Sequence, residues 1–399
     1  MKAASSRAAG LWLALLVSLL VVVPLVCGRA AVTSFFTQAV IISLLAMSYN
    51  MLMGQTGMLS FGHAVYSGLG AYCTIHFLNR FTADGLGVGI FLLPLVGAAA
   101  GAFFGLVLGF VSTRRSGIAF AMITLGISEM LVHLSLMMPG WSGGESGITT
   151  DRMLYEPILG FDLGSDLQAY YYILAWALAA VALQFAVTRT PLGSLANAVR
   201  DNPERVMFIG FNPQKIRLFV MVLSGMFAGI GGSLTAVSYE IVTSETLGLG
   251  QSGMLLIAAY LGGAGFFLGP VFGAFVYVLF LSVVASLTHA WLLYFGLLFV
   301  LVVLFSPAGL LPMLKAVPGY GPRQRLRAAV AALMAAAAVQ FIERLYAYLE
   351  GRAAGSAPAL ADAAPAMAAA LAVFLVLAVA LRRTAGSGRQ PAAGAREAA

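Results

Sequence analysis

Charge is what this chain has least of. Asp, Glu, Lys and Arg make up 9% of its 399 residues against 61% hydrophobic, and the mean hydropathy is +0.94. A soluble globule of this size cannot cover its surface with so few polar side chains, so the composition excludes a soluble enzyme and points to a polytopic membrane protein. Lysine is nearly absent: Lys2, Lys215 and Lys315 are the whole set. None of them follows a glycine-rich loop and precedes Ser or Thr, so the chain has no Walker phosphate loop through which to hydrolyse ATP. The two cysteines, Cys27 and Cys73, lie in or beside apolar runs without metal-ligand spacing, which argues against a disulfide framework or a metal site. No Ser-His-Asp or metal-ligand constellation stands out either. The net charge of +7 does not signal nucleic acid, because the basic residues sit at the ends of apolar runs, where they act as orientation signals.

What is present is a succession of apolar runs, each near the roughly twenty residues needed to cross a hydrocarbon core. They fall at Leu11–Val26, Thr33–Met53, Gly57–Leu78, Gly87–Val111, Ser116–Met138, Ala169–Val187, Ile216–Val237, the short Gln251–Gly262, Phe267–Leu287 and Ala290–Phe305. The expected fold is all-α, a polytopic transmembrane helical bundle of about 10 core spans. Residues 1–32 carry the first helix and 33–314 the main transmembrane domain. Residues 315–399 form an extension with two further candidate spans, Ala328–Tyr348 and Ala363–Leu381, which could instead lie on the surface as amphipathic helices. Lys2 and Arg7 before Leu11–Val26 also fit a signal peptide. Val26 is too bulky to precede a lipidated cysteine, so a retained first helix is the preferred reading.

With the N-terminus inside, alternation places Arg114-Arg115, the segment 188–216, Lys315 with Arg323, Arg325 and Arg327, and Arg382-Arg383 on the inner side, as the positive-inside rule requires. Most acids, including Glu145, Asp151, Asp166, Glu240 and Glu245, fall outside. This alternation needs Gln251–Gly262 to cross, either as a packed short helix or with part of Ser244–Gly250. The long outer loop Pro139–Gln168, with Trp141 and several glycines, reads as a structured cap that could face a soluble partner, or as a solvated loop that merely obeys charge asymmetry.

The inner segment 188–216 is polar between two apolar runs. Pro191 and Gly193 open a turn, and Leu195, Val199, Met207 and Ile209 form a broken apolar stripe. Asp201-Asn202-Pro203 starts a short helix that Gly210 and Asn212-Pro213 end. It reads as a helix–turn–helix on the membrane surface offering a face to a partner, or as a solvated loop with ordinary punctuation. Within the spans, ionisable groups are few: Glu129 and His133, four apart on one helix face, could form a hydrogen-bonded pair. Two glycine-interrupted stretches, Asn50–Gly70 and Gly262–Gly273, permit either close helix packing or broken helices that line a substrate path.

Several stretches together resemble one family. GQTGMLSFGHAVYSGLGAY (Gly54–Tyr72), RSGIAFAMITLGISEM (Arg115–Met130) with WSGGESGI (Trp141–Ile148), the loop and helix Pro191–Leu234, and LGGAGFFLGPVFGAF with GLLFVLVVLFSPAGL look like the inner-membrane permease subunits of bacterial branched-chain amino-acid ABC transporters, of the LivM type. The resemblance spans about Thr33 to Leu311 in order. It implies a multi-pass subunit of the bacterial inner membrane, not itself an enzyme and with no cofactor of its own. It also implies a second related permease, two ATP-binding subunits on the cytoplasmic face and a periplasmic solute-binding protein. Asn202–Phe211 would then be the coupling helix, with Arg200, Asp201, Asn202, Glu204, Gly210 and Asn212 facing the ATPase. The family's loop often carries Glu-Asn-Glu where this one has Asp201-Asn202-Pro203-Glu204, a start that proline tolerates. The glycine-broken spans become a candidate translocation path lined by Gly54, Gln55, Thr56, Gly57, Ser60, Gly62, His63, Thr124, Glu129, Gly262 and Gly263. The cargo would be a branched-chain or related amino acid, or another small polar solute such as an amide, urea or organic acid. An ion-coupled carrier is the rival outside this class.

Overall fold

The computed structural model describes residues 20–22, 24, 32–83, 91–152, 163–285, 291–305 and 309–310. The expected spans at Ala328–Tyr348 and Ala363–Leu381 lie outside these residues, as does most of Leu11–Val26. The chain divides into two compact units, Met1–Ser282 and Val283–Ala399.

The first unit opens on α1 (Gln38–Asn50), which runs on through a π-helical stretch, Met51–Thr56. Gly57 ends it at φ +68°, a left-handed turn that costs glycine little, and residues 57–60 are not helical. α2 (Ala64–Ala83) therefore starts seven residues later than the apolar run beginning at Gly57 suggests, and the first glycine-rich stretch is a true helix break. α3 (Leu93–Ser112) and α4 (Ile118–Met137) follow, joined through the turn that holds Arg114 and Arg115.

After a four-residue helical turn, Pro139–Ser142, comes the short strand β1 (Ile148–Thr149). α5 (Asp166–Thr188) begins three residues ahead of its apolar run, with Asp166 in the first turn where a carboxylate opposes the helix dipole. The basic segment folds into α6 (Pro191–Asp201) and α7 (Pro203–Phe208), and α8 (Pro213–Tyr239) returns across the bundle. β2 (Ile241–Val242) pairs antiparallel with β1, Ile148 opposite Val242 and Thr149 opposite Ile241. A 3-10 turn, Ser244–Leu247, then leads into α9 (Leu249–Gly262), and α10 (Gly269–Leu279) closes the unit. In the second unit the described helix is α11 (Trp291–Phe305), uniformly apolar in sequence.

Among the described residues, five helical segments are long and apolar enough to cross a membrane: Phe35–Thr56, Leu93–Ser112, Ile118–Met137, Asp166–Thr188 and Pro213–Tyr239. The chain is a polytopic helical membrane protein. α9 has 14 residues; at about 1.5 Å per residue it falls short of the roughly 30 Å core, and the Ser244–Leu247 turn before it supplies part of the missing length.

α8 is the central helix, packed on α3, α2 and α1. Lipid tails are as apolar as leucine, so helices in a membrane gain by packing closely instead of by leaving water. Gly97, Gly101 and Gly105 of α3, one turn apart, face Gly225 and Gly229 of α8, and a Cβ on Gly101 or Gly229 would meet the opposite backbone. Large aromatic side chains, including Tyr49, Tyr66, Tyr170 and Phe227, fill the interior where the helices spread.

Candidate coupling and translocation site

α6 and α7 are built by local signals. Pro191, Pro203 and Pro213 each occupy a first-turn position, where the missing N–H costs nothing. Asn202 caps α7 by accepting a hydrogen bond from the Arg205 N–H (3.0 Å). Asn212 caps α8 in the same way through Gln214 and Lys215 (2.9 and 3.4 Å). α7 ends in a Schellman arrangement: the Gly210 N–H donates to Met207 and the Phe211 N–H to Val206, with Gly210 at φ +90°. The expected apolar stripe divides here. Leu195 and Val199 pack with Val206 and Ile216 into a small core, whereas Met207, Phe208 (87% exposed), Ile209 and Phe211 point away from the bundle. Val206 takes the inner position because it falls one turn from the cap, on the side of α7 that meets α6.

Arg200 connects this segment to the first helix break. Its guanidinium donates to the Gly54 carbonyl (2.5 Å) and pairs with Asp201 (3.0 Å), and its stem lies against Gly57. On another side of Gly54 lies Ala264, whose carbonyl would sit 2.5 Å from a Cβ placed on that glycine. The two glycine-interrupted stretches thus meet at Gly54. Gly263 at φ +109° turns the chain after α9, while Gly262 packs directly on the backbone of α10 at Gly269.

Of the other proposed path residues, Ser60, Gly62, His63 and Thr124 are buried and hydrogen-bonded or packed together with Tyr49 and Ser48. The Tyr49 hydroxyl donates to the Ser60 carbonyl (2.9 Å) and accepts from the Ser60 N–H (3.2 Å), so one side chain satisfies a backbone unit that no helix does. Thr124 accepts from the Phe61 N–H (3.1 Å), and Gly62 lies against the Thr124 backbone. His63 is fully buried, its Nε2 3.0 Å from Ser48 Oγ and its ring edge-on to Tyr49. Thr56 donates back to Leu52, and Gln55 is half-buried. Glu129 stands apart: it is exposed on α4 together with Met122, Gly126 and His133, and no hydrogen bond joins it to His133.

At the acidic end, the described residues 139–152 pack on α2 and α5. Trp141 stacks on Tyr72 and His76 of α2, and its carbonyl lies 2.7 Å from His76 Nε2. Arg152 pairs with Asp166 (2.7 Å) and with Glu240 (2.8 Å); the second contact is close enough for an ion pair but not aligned for a hydrogen bond. Sequence reasoning did not single out Arg152 as a link, nor the glycines of α3 and α8. The four-residue spacing of Gly97, Gly101 and Gly105 was a readable signal for the latter; nothing local pointed to the partners of Arg152.

A broken span, a punctuated basic segment tied to that break, and glycine-packed helices make up a multi-span membrane domain. Residues 31–307 match the family described as "Branched-chain amino acid transport system / permease component", and the chain belongs to that family. It is 28% identical over 330 residues to the high-affinity branched-chain amino acid transport system permease protein LivM of Salmonella typhimurium, covering 76% of this chain and 75% of that one. It is 29% identical to the Escherichia coli K12 protein of the same name, with the same coverage. The guanosine ABC transporter permease protein NupQ of Bacillus subtilis is 29% identical over 250 residues, 58% of this chain and 76% of NupQ. No solved structure matches the chain. It is a transport subunit of an ABC system, not an enzyme in its own right, and it acts with other subunits in a membrane.

Proposed function

We propose that this chain is one of two related permeases in an importer of the bacterial inner membrane, that it carries branched-chain or chemically similar amino acids, and that ATP is hydrolysed on two partner subunits. The reading is supported by the exposed apolar group Met207, Phe208, Ile209 and Phe211, held rigidly by two asparagine caps and the Gly210 turn. A buried groove on an ATP-binding subunit suits such a group, since water does not. Arg200 then carries any displacement of α6 and α7 to Gly54, where the two broken stretches meet. The basic ends lie inside and the acidic cap outside, where a solute-binding protein would dock. α4 turns Gly126, Glu129 and His133 away from the bundle, and a carboxyl within a span calls for a polar neighbour; the second permease would provide it.

The test is co-purification of ATP-binding subunits with the detergent-solubilised complex carrying Phe208→Asp. Loss of those subunits while the permease keeps its elution profile is the expected result. Full retention would remove the coupling role from α7. The similarity to the guanosine ABC transporter permease protein NupQ supports a nucleoside cargo as the second reading, and uptake of labelled leucine against labelled guanosine decides between them.

A further inference from the structure

At the acidic end two cavities adjoin. One, of about 250 Å³, is bounded by Arg152, Asp166, Tyr170 and Ser238; the other, of about 340 Å³, is lined by Ile41, Ile42, Leu45, Met254, Leu255 and Leu281 and also by three threonines, Gln251 and Tyr277. Gln38 and Tyr239 line both. The first is charged and the second is largely apolar. Beside the first, Arg152 meets Asp166 and Glu240, so one cation against two carboxylates leaves a net charge of −1. Arg152 is 13% exposed, so its charge acts in a medium poorer than water at screening it. Glu240 is also the one non-glycine residue with positive φ (+58°) among those described, a backbone cost that persists only where the surroundings enforce it. A structural ion pair alone needs neither the second carboxylate nor the adjoining apolar space.

We infer that these cavities together form a binding site on the permease itself for a zwitterionic amino acid with an aliphatic side chain. The proposal rests on the amino-acid cargo proposed above. The ammonium group of the solute sits near Asp166 and Glu240, its carboxylate takes a share of the Arg152 guanidinium, and its side chain enters the apolar cavity past Gln38 and Tyr239. The site accepts the solute as the binding protein releases it. Specificity for a charged head joined to an apolar tail is thus read a second time, by the membrane subunit.

The experiment uses the assembled transporter with Cys27→Ser and Cys73→Ser as background and Ser238→Cys as reporter. The introduced thiol is labelled from outside by a trimethylammonium-ethyl or a sulfonato-ethyl methanethiosulfonate. With each rate divided by that of the same reagent with a small free thiol, the cationic reagent is expected to react about tenfold faster, because the excess carboxylate concentrates cations. Glu240→Gln should erase that preference. Leucine should slow labelling, and isoamylamine and 4-methylpentanoate, which each lack one charge, should slow it far less. Equal normalised rates for the two reagents, or no slowing by leucine in a complex that transports leucine, would overturn the inference. A complex that transports no leucine at all would instead sink the cargo reading. Should Ser238→Cys fail to assemble, Thr235→Cys, in the adjoining cavity, is read by the same criteria.

Discussion

The two ends of α8 are built in opposite ways. At its N-terminus, α6 and α7 are held by caps, a glycine turn and a small core around Val199, Val206 and Ile216, and they leave their largest apolar groups outside. At its C-terminus, Glu240 is bound by Arg152, β2 is paired with β1, and Trp141 stacks on α2, so residues 141–152 are tied to α2, to the start of α5 and to the chain just past α8. One end is closed by contacts within the chain. The other leaves Met207, Phe208, Ile209 and Phe211 uncovered. A rigid helix between them, packed on α3 through backbone, is the physical means by which the two could be coupled.

Breaking the shared helix should have the largest effect. Gly229→Leu forces a side chain into the α3 backbone at Gly97 and Gly101. The cost is expected at about 3 kcal/mol or more, which would disable both ends together and show as loss of a monodisperse peak in size exclusion. Next in size is Arg152→Ala, which leaves Asp166 and Glu240 without their cation at partly exposed positions. About 1–3 kcal/mol should go, seen as a lower melting temperature in detergent, while co-purification of ATP-binding subunits persists.

Gly210→Ala tests the other end. Nothing lies within 4 Å of the added Cβ, so the penalty is that of the left-handed backbone, about 1–2 kcal/mol, confined to the α7 turn. It should weaken capture of ATP-binding subunits and leave the unfolding of the bundle nearly unchanged. Phe208→Asp should be the mildest for stability, within about 0.5 kcal/mol, because the side chain is 87% exposed. If it lowers the melting temperature as much as Arg152→Ala does, the two ends are not built differently and the comparison fails.

Much of the fold was legible because its signals are local. Apolar length marks the spans, and Asn202-Pro203, Gly210 and Asn212-Pro213 mark α7 and its limits, since capping and turning involve only neighbours within one helical turn. Gly57, Gly62, Gly68 and Gly70 left close packing and a break both open, and the structure has a break at residues 57–60. Their spacing did not say whether that break lines a path or packs a core. Tyr49 and Thr124 answer for Ser60 and Phe61, and they lie 11 and 63 residues away.

What the amino-acid sequence determined by itself is a multi-span membrane protein with a punctuated basic segment, because hydropathy, charge asymmetry and cap residues act over short range. Tertiary structure alone decided which groups meet: Gly54 with both Arg200 and Ala264, the glycines of α3 with those of α8, and Arg152 with Asp166 and Glu240. It also decided that Phe208 points out while Val206 points in, and that Glu129 faces away from the bundle. Periodicity tells which residues share a face; only the packing of other helices tells which way that face looks.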